Sequence, residues 1–131
     1  MAVDIQRAQA LSSRIPSDFV LGFATSSWQI EGSSHTRGRS IWDDFSETPG
    51  KVLDGATADP ACDHLNHISE DLDLIRDLGA KAYRFSFSWP RVIHDGTGSV
   101  SASGLDTYDR IVDGVLERGL TPYATLYHWD L

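Results

Sequence analysis

The sequence holds a single cysteine, Cys62, so no internal disulfide framework is possible, and that scarcity fits a reducing compartment. Basic side chains are few. Lys and Arg number 11 against 19 Asp and Glu, a net charge of −8, and they form no cluster, which argues against nucleic acid or an anionic membrane as partner. A neutral substrate is compatible with that balance. No apolar run approaches membrane-spanning length, and the opening MAVDIQRAQALSSRIPSDF lacks a basic-then-apolar leader pattern, so the expectation is a cytoplasmic protein. Also missing are G-x-x-x-x-G-K, G-x-G-x-x-G after the first strand and G-x-S-x-G, which removes the common nucleotide-binding and serine-hydrolase classes. What remains, 131 residues with 40% hydrophobic and 23% charged, is enough for one globular domain.

The most informative stretch is Lys81 to Arg91, KAYRFSFSWPR. Tyr83, Phe85, Phe87 and Trp89 alternate with Arg84, Ser86 and Ser88, the period of a β-strand with one aromatic face. Pro90 has no N–H to donate to a ladder and is expected to end the strand. The aromatic face should pack on helices. The opposite face carries a guanidinium, and a buried guanidinium needs an anionic partner, so Arg84 points to a site.

Taken in order, residues 1–17 read as an N-terminal tail, with a short helix over Ile5 to Leu11 as the alternative, and 18–131 as the folded domain. Phe19 to Ala24 is the first strand. Ser33 to Asp63 is a long loop broken by Gly38, Pro49, Gly50, Gly55 and Pro60, with Trp42 and Phe45 of SIWDDF packing one helical turn inside it. His64 to Leu78 reads as a helix with Ile68, Leu72, Ile75 and Leu78 on its apolar stripe, Asp63 as N-cap and Gly79 at the C-terminal end. A turn-rich loop precedes a second helix, Leu105 to Arg118, with Leu105, Tyr108, Ile111, Val112, Val115 and Leu116 inward and Gly119 after it. Thr121 to Trp129 is the third strand. The order βαβαβ predicts an α/β fold with a parallel sheet and right-handed crossovers.

Cys62, His64 and His67 offer soft and imidazole ligands at short spacing. A structural zinc site wants four, and no second pair occurs downstream, so these read as residues around a helix start; no metal or cofactor is expected. The remaining chemistry sits at the strand ends: Trp28 and Gln29 after the first strand, Arg84 to Trp89 along the second, His128, Trp129 and Asp130 after the third. Ligands of parallel α/β folds bind at that edge. Amides and imidazoles bond directionally to hydroxyls, and indoles pack on the apolar face of a pyranose, so these residue types suit a sugar. Each also has a plain reading, Trp28 and Trp129 as core aromatics and His128 as a satisfied polar residue.

FVLGFATSSWQIEG, SIWDDF, TPGK, ACDHLNHISEDLDLIRDLGAKAYRFSFSWPRV and GLTPYATLYHWDL together resemble the opening of the family 1 glycoside hydrolases, the β-glucosidase family, from about Pro16 to Leu131. The resemblance implies a (β/α)8 barrel and a retaining mechanism with two catalytic glutamates. It implies that Gln29 and His128 bind glycone hydroxyls with Trp129 beside them, and that Arg84 lies under the nucleophile and keeps it ionised. His94 stands where the family often has proline, with no role attached to it. Adjacent residues of a regular strand face opposite ways, so His128 and Trp129 share a site only if the strand bends or ends there.

The family's N-E-P and E-N-G motifs, which carry its acid/base and nucleophile, do not occur in these residues. The chain is therefore expected to be a βαβαβ fragment of the barrel that carries part of a glycone site and no catalytic residue. It is expected to be inactive alone, since a retaining mechanism needs two carboxyl groups about 5–5.5 Å apart. Glu31 and Asp130 match neither catalytic position. Its expected partners are a β-glucoside or related sugar and either the missing remainder of the barrel or further copies of itself. The alternative to a piece of an enzyme is a non-catalytic assembly module that self-associates through open sheet edges.

Overall fold

The computed structural model describes residues 4–131. Its centre is a three-stranded parallel sheet in the order β1-β2-β3, with β1 at Gly22–Ala24, β2 at Ala82–Ser86 and β3 at Thr121–Thr125. Gly22 pairs with Ala82 across one junction, and Ala82 with Thr121 across the other. Among the described residues six α-helical segments accompany the sheet: α1 Ile5–Ser12, α2 Ser27–Ile30, α3 Ile41–Glu47, α4 Ile68–Asp77, α5 Trp89–Val92 and α6 Ala102–Glu117. Among the described residues no helix is long and apolar enough to cross a membrane.

The core lies between the sheet and helices α4 and α6. Leu72 from α4, Tyr83 and Phe85 from β2, and Tyr108, Ile111 and Val115 from α6 are all buried there, with Leu120 closing one end. The aromatic face of β2 thus packs on helices, as its alternation requires. Gly104 makes a close approach to the backbone. A Cβ there would run into the Arg91 carbonyl of α5, so α6 reaches that turn only without a side chain. Gly79 ends the α4 region with φ +82°, a left-handed conformation suited to glycine.

Several boundaries differ from the sequence expectation. β2 ends at Ser86, not at Pro90. Ser88 turns extended and starts α5, and Pro90 sits in the first turn of that helix, where its missing N–H leaves no bond unmade. Trp89 therefore belongs to the helical turn and not to the aromatic strand face. β3 ends at Thr125, four residues before Trp129, and β1 holds only Gly22–Ala24 of the expected run. Asp63 is not the N-cap of α4. It adopts φ +54°, His64–Asn66 form a separate 3-10 turn, and His67 precedes the helix. Leu78, Leu105 and Leu116 are exposed, because the stripes of α4 and α6 that meet the sheet are narrower than the apolar pattern. The long loop is more regular than expected. Ser40 caps α3 in a capping box with Asp43, so Ile41–Glu47 forms a seven-residue helix. In the tail, the helical alternative is the one present, with Asp4 as cap and no buried residue.

Candidate functional site

A cavity of about 420 Å³ opens at the C-terminal ends of β1 and β3. Its wall includes Ser26, Trp28 and Gln29 from the β1 side, Trp42 and Phe45 from α3, and His128, Trp129 and Asp130 after β3. The structure therefore brings Gln29, His128 and Trp129 to one hollow. Arg84 is not in its lining; it sits deeper, on β2 between β1 and β3.

Local chemistry explains each position. Gln29 lies in the single turn α2, which Ser26 precedes. Ser26 Oγ donates to Gln29 Oε1 at 2.6 Å, which occupies the amide oxygen and leaves the amide N–H groups facing outward. Ser27 is tied down from the opposite side, its backbone N–H donating to Ser86 Oγ at 2.9 Å. The β3 side is shaped by Trp129, which adopts φ +63°. A non-glycine residue in that region is uncommon. Because the strand has ended at Thr125 and the chain then turns through a left-handed residue, His128 and Trp129 both reach the cavity despite being adjacent. Trp129 is 70% exposed and forms the rim, with its ring 6.2 Å from that of Tyr127.

Asp130 holds this corner. Its Oδ2 accepts from the Trp89 N–H at 2.8 Å, and its carbonyl accepts from the Ile41 N–H at 2.9 Å, so α5, α3 and the segment after β3 meet on one residue. Burial raises its carboxyl above the ordinary range, against the pull of the Trp89 N–H. The α3 wall is fixed by Asp43, which accepts two bonds from Arg37 and one from Trp28 Nε1 at 2.9 Å. Burial alone would raise the Asp43 carboxyl; the bonds from Arg37, the Ser40 N–H and Trp28 outweigh it and hold it at about 2.

Arg84 Nε donates to Thr125 Oγ1 at 2.8 Å and Nη1 to the Thr25 carbonyl at 3.3 Å. Both acceptors are neutral, and among the described residues no carboxylate pairs with it. Glu31 and Asp130 are both committed elsewhere. Glu31 Oε2 accepts from Arg91 Nε at 3.0 Å and Oε1 from the Tyr108 hydroxyl at 2.8 Å, all inside the protein. Burial pushes the Glu31 carboxyl upward despite Arg91, and burial together with Glu31 pushes the Tyr108 phenol up strongly. Among the described residues no cluster of three or more His, Cys, Asp or Glu could hold a metal; Cys62 is exposed, and His64 Nδ1 lies 2.6 Å from Asp71 Oδ2.

Sequence reasoning passed over Ser26, Trp42 and Phe45 as parts of the cavity, and placed Asp130 at the end of the third strand without a role. Ser26 could have been found from its spacing of three before Gln29. The aromatic wall of α3 came from a segment read mainly as loop and offered no such signal.

The model of the family described as Glycosyl hydrolase family 1 matches residues 11–131. A Beta-glucosidase from Agrobacterium sp. is 56% identical over 123 residues, covering 92% of this chain and 27% of that protein. Beta-glucosidase A of Thermotoga maritima is 55% identical over 120 residues, covering 90% and 27%. The solved family 1 β-glucosidase of Thermotoga maritima superposes with a TM-score of 0.84 at 55% identity over 89% of this chain and 27% of that one. The chain thus spans about a quarter of the length of these relatives, and its fold is a βαβαβ part of their α/β barrel.

Proposed function

The chain belongs to glycosyl hydrolase family 1, and on that premise we propose that it is the N-terminal segment of a retaining β-glucosidase that cleaves terminal β-D-glucosidic bonds. In this reading Gln29 and His128 bond to glycone hydroxyls and Trp129 lies against the sugar's apolar face. Arg84 keeps the nucleophilic carboxylate ionised once the rest of the barrel brings it. The observation that carries the reading is the convergence of Gln29, His128 and Trp129 on one cavity, above a guanidinium whose acceptors are all neutral. An opposite charge placed beside Arg84 would be stabilised in its charged form.

The chain supplies one wall of a sugar pocket and neither carboxyl of a retaining pair. The test is nitrophenol release from an aryl β-glucoside. No turnover is expected from the 131 residues alone. Turnover should appear when a second chain supplies the remaining strands of a family 1 barrel, and Gln29→Ala or His128→Ala should then cut it sharply. Hydrolysis by the short chain alone, abolished by changing Glu31 or Asp130, would overturn the proposal.

A second reading concerns the chain by itself. β1 and β3 each have one unpaired edge among the described residues, and Phe19, Val20, Leu21 and Phe23 on one side and Tyr123, Leu126 and Tyr127 on the other are exposed. Open edges beside large apolar side chains favour pairing between chains. Light scattering checks it: concentration-dependent oligomers support the reading, and a compact monomer at high concentration opposes it.

A further inference from the structure

Beneath the turn that carries Gln29 lies a small cavity of about 10 Å³, separate from the open one. His64, Glu31, Ser27, Ser86, Thr25 and Tyr83 supply its polar lining; Ile30, Phe85 and Ile111 supply the rest. His64 is 3% exposed, and its Nε2 is a buried polar atom without a protein partner. A buried polar atom left in that state is costly, so such atoms are nearly always satisfied.

We propose that this cavity binds one structural water, held by His64 Nε2 and bridged to the Ser27 and Glu31 side of the pocket. Size sets the first limit, because a space of this order holds a single water and nothing larger. Chemistry sets the second. With Nδ1 engaged to Asp71, Nε2 presents either a lone pair or a second N–H, and water serves both, donating to one and accepting from the other. An anion would face the Glu31 carboxylate. A metal ion would need more ligands than the lining has free, since Glu31 already serves Arg91 and Tyr108. The Ser27 hydroxyl accepts from Ser86 Oγ at 3.2 Å and keeps its own proton to donate. A water here therefore has an acceptor or donor in His64, a donor in Ser27 and further acceptors in Glu31 and the Tyr83–Thr25 hydroxyl pair. It would tie the start of the α4 region to the turn that presents Gln29.

This inference does not depend on the reading of the enzyme. A high-resolution crystal structure of the chain should show one spherical density peak about 2.7–3.1 Å from His64 Nε2 and within bonding distance of a second polar atom of the lining. In solution, a long-lived water should give a magnetisation-transfer signal to the His64 ring protons, and Ser27→Ala should shorten its residence time while leaving the fold intact. A dry cavity, or a ring shift that bonds Nε2 directly to a protein atom, would overturn the proposal.

Discussion

Two arginines within one stretch, seven residues apart, have opposite fates. Arg91 is 2% exposed and fully committed: Glu31, the Thr36 hydroxyl and the Gly32 carbonyl take its donors, and Tyr108 completes the Glu31 side. Arg84 is half-buried on the sheet and bonds only to a hydroxyl and a carbonyl. Burial of a guanidinium demands compensation by charge. The helix side of the molecule provides that within the chain, while the inner sheet side leaves the charge unanswered. The comparison separates a finished half of the structure from a half that presents its groups outward.

Breaking the finished half should have the largest effect. Glu31→Ala leaves Arg91 buried without its carboxylate and Tyr108 without its acceptor. A loss of about 3–5 kcal/mol is expected, enough to unfold most of the chain, read by urea denaturation. Gly104→Ala attacks the same region sterically and should cost about 1–3 kcal/mol, whereas Ala at the exposed helix position Ser103 should change little; equal losses at the two positions would contradict the packing described.

The Arg37–Asp43 pair tests the wall of the open cavity. The Asp43 carboxyl is held at about 2, below its ordinary 3.8. A lowered folded-state value stabilises above the unfolded value, so this contribution is complete above about pH 4 and is lost as pH falls toward 2. The expected size is about 1–2 kcal/mol. Asp43→Asn should flatten the acid limb of a stability-against-pH curve over that window; an unchanged limb would remove the assignment. The smallest effect belongs to the unfinished half. Arg84→Met should alter the stability of the isolated chain by less than about 1 kcal/mol, because it breaks bonds to neutral groups only. The same change in the reassembled barrel should abolish turnover and move the acid limb of its pH–rate profile.

The contrast also shows what the linear chain reveals. Arg84 was conspicuous because strict alternation put a charge opposite aromatic residues. Arg91 was invisible as a core residue because Pro90 before it suggested that the strand had ended. Its partner Glu31 is 60 residues away, a pairing that only the fold discloses. The parallel order of the three strands was readable from helix-length spacing, and the aromatic stripe of β2 from its period. The strand ends were not readable. Ser86, Ser88 and Trp89 continue a plausible alternation in the sequence, but tertiary bonds to Ser27, Tyr108 and Asp130 bend the chain before the pattern stops. For the site, Gln29, His128 and Trp129 were legible as residue types at strand ends. The α3 wall was not, since its capping box sits inside a segment rich in glycine and proline.

The unequal ladders on the two sides of β2 carry a kinetic consequence. Five residues of β2 are in register with β3, and only three with β1. The β1 junction must also close a longer stretch of intervening chain, at a higher entropic cost for fewer bonds. The α4–β2–α6–β3 portion should therefore assemble first, with β1 joining last and its amides exchanging with deuterium sooner than those of β3.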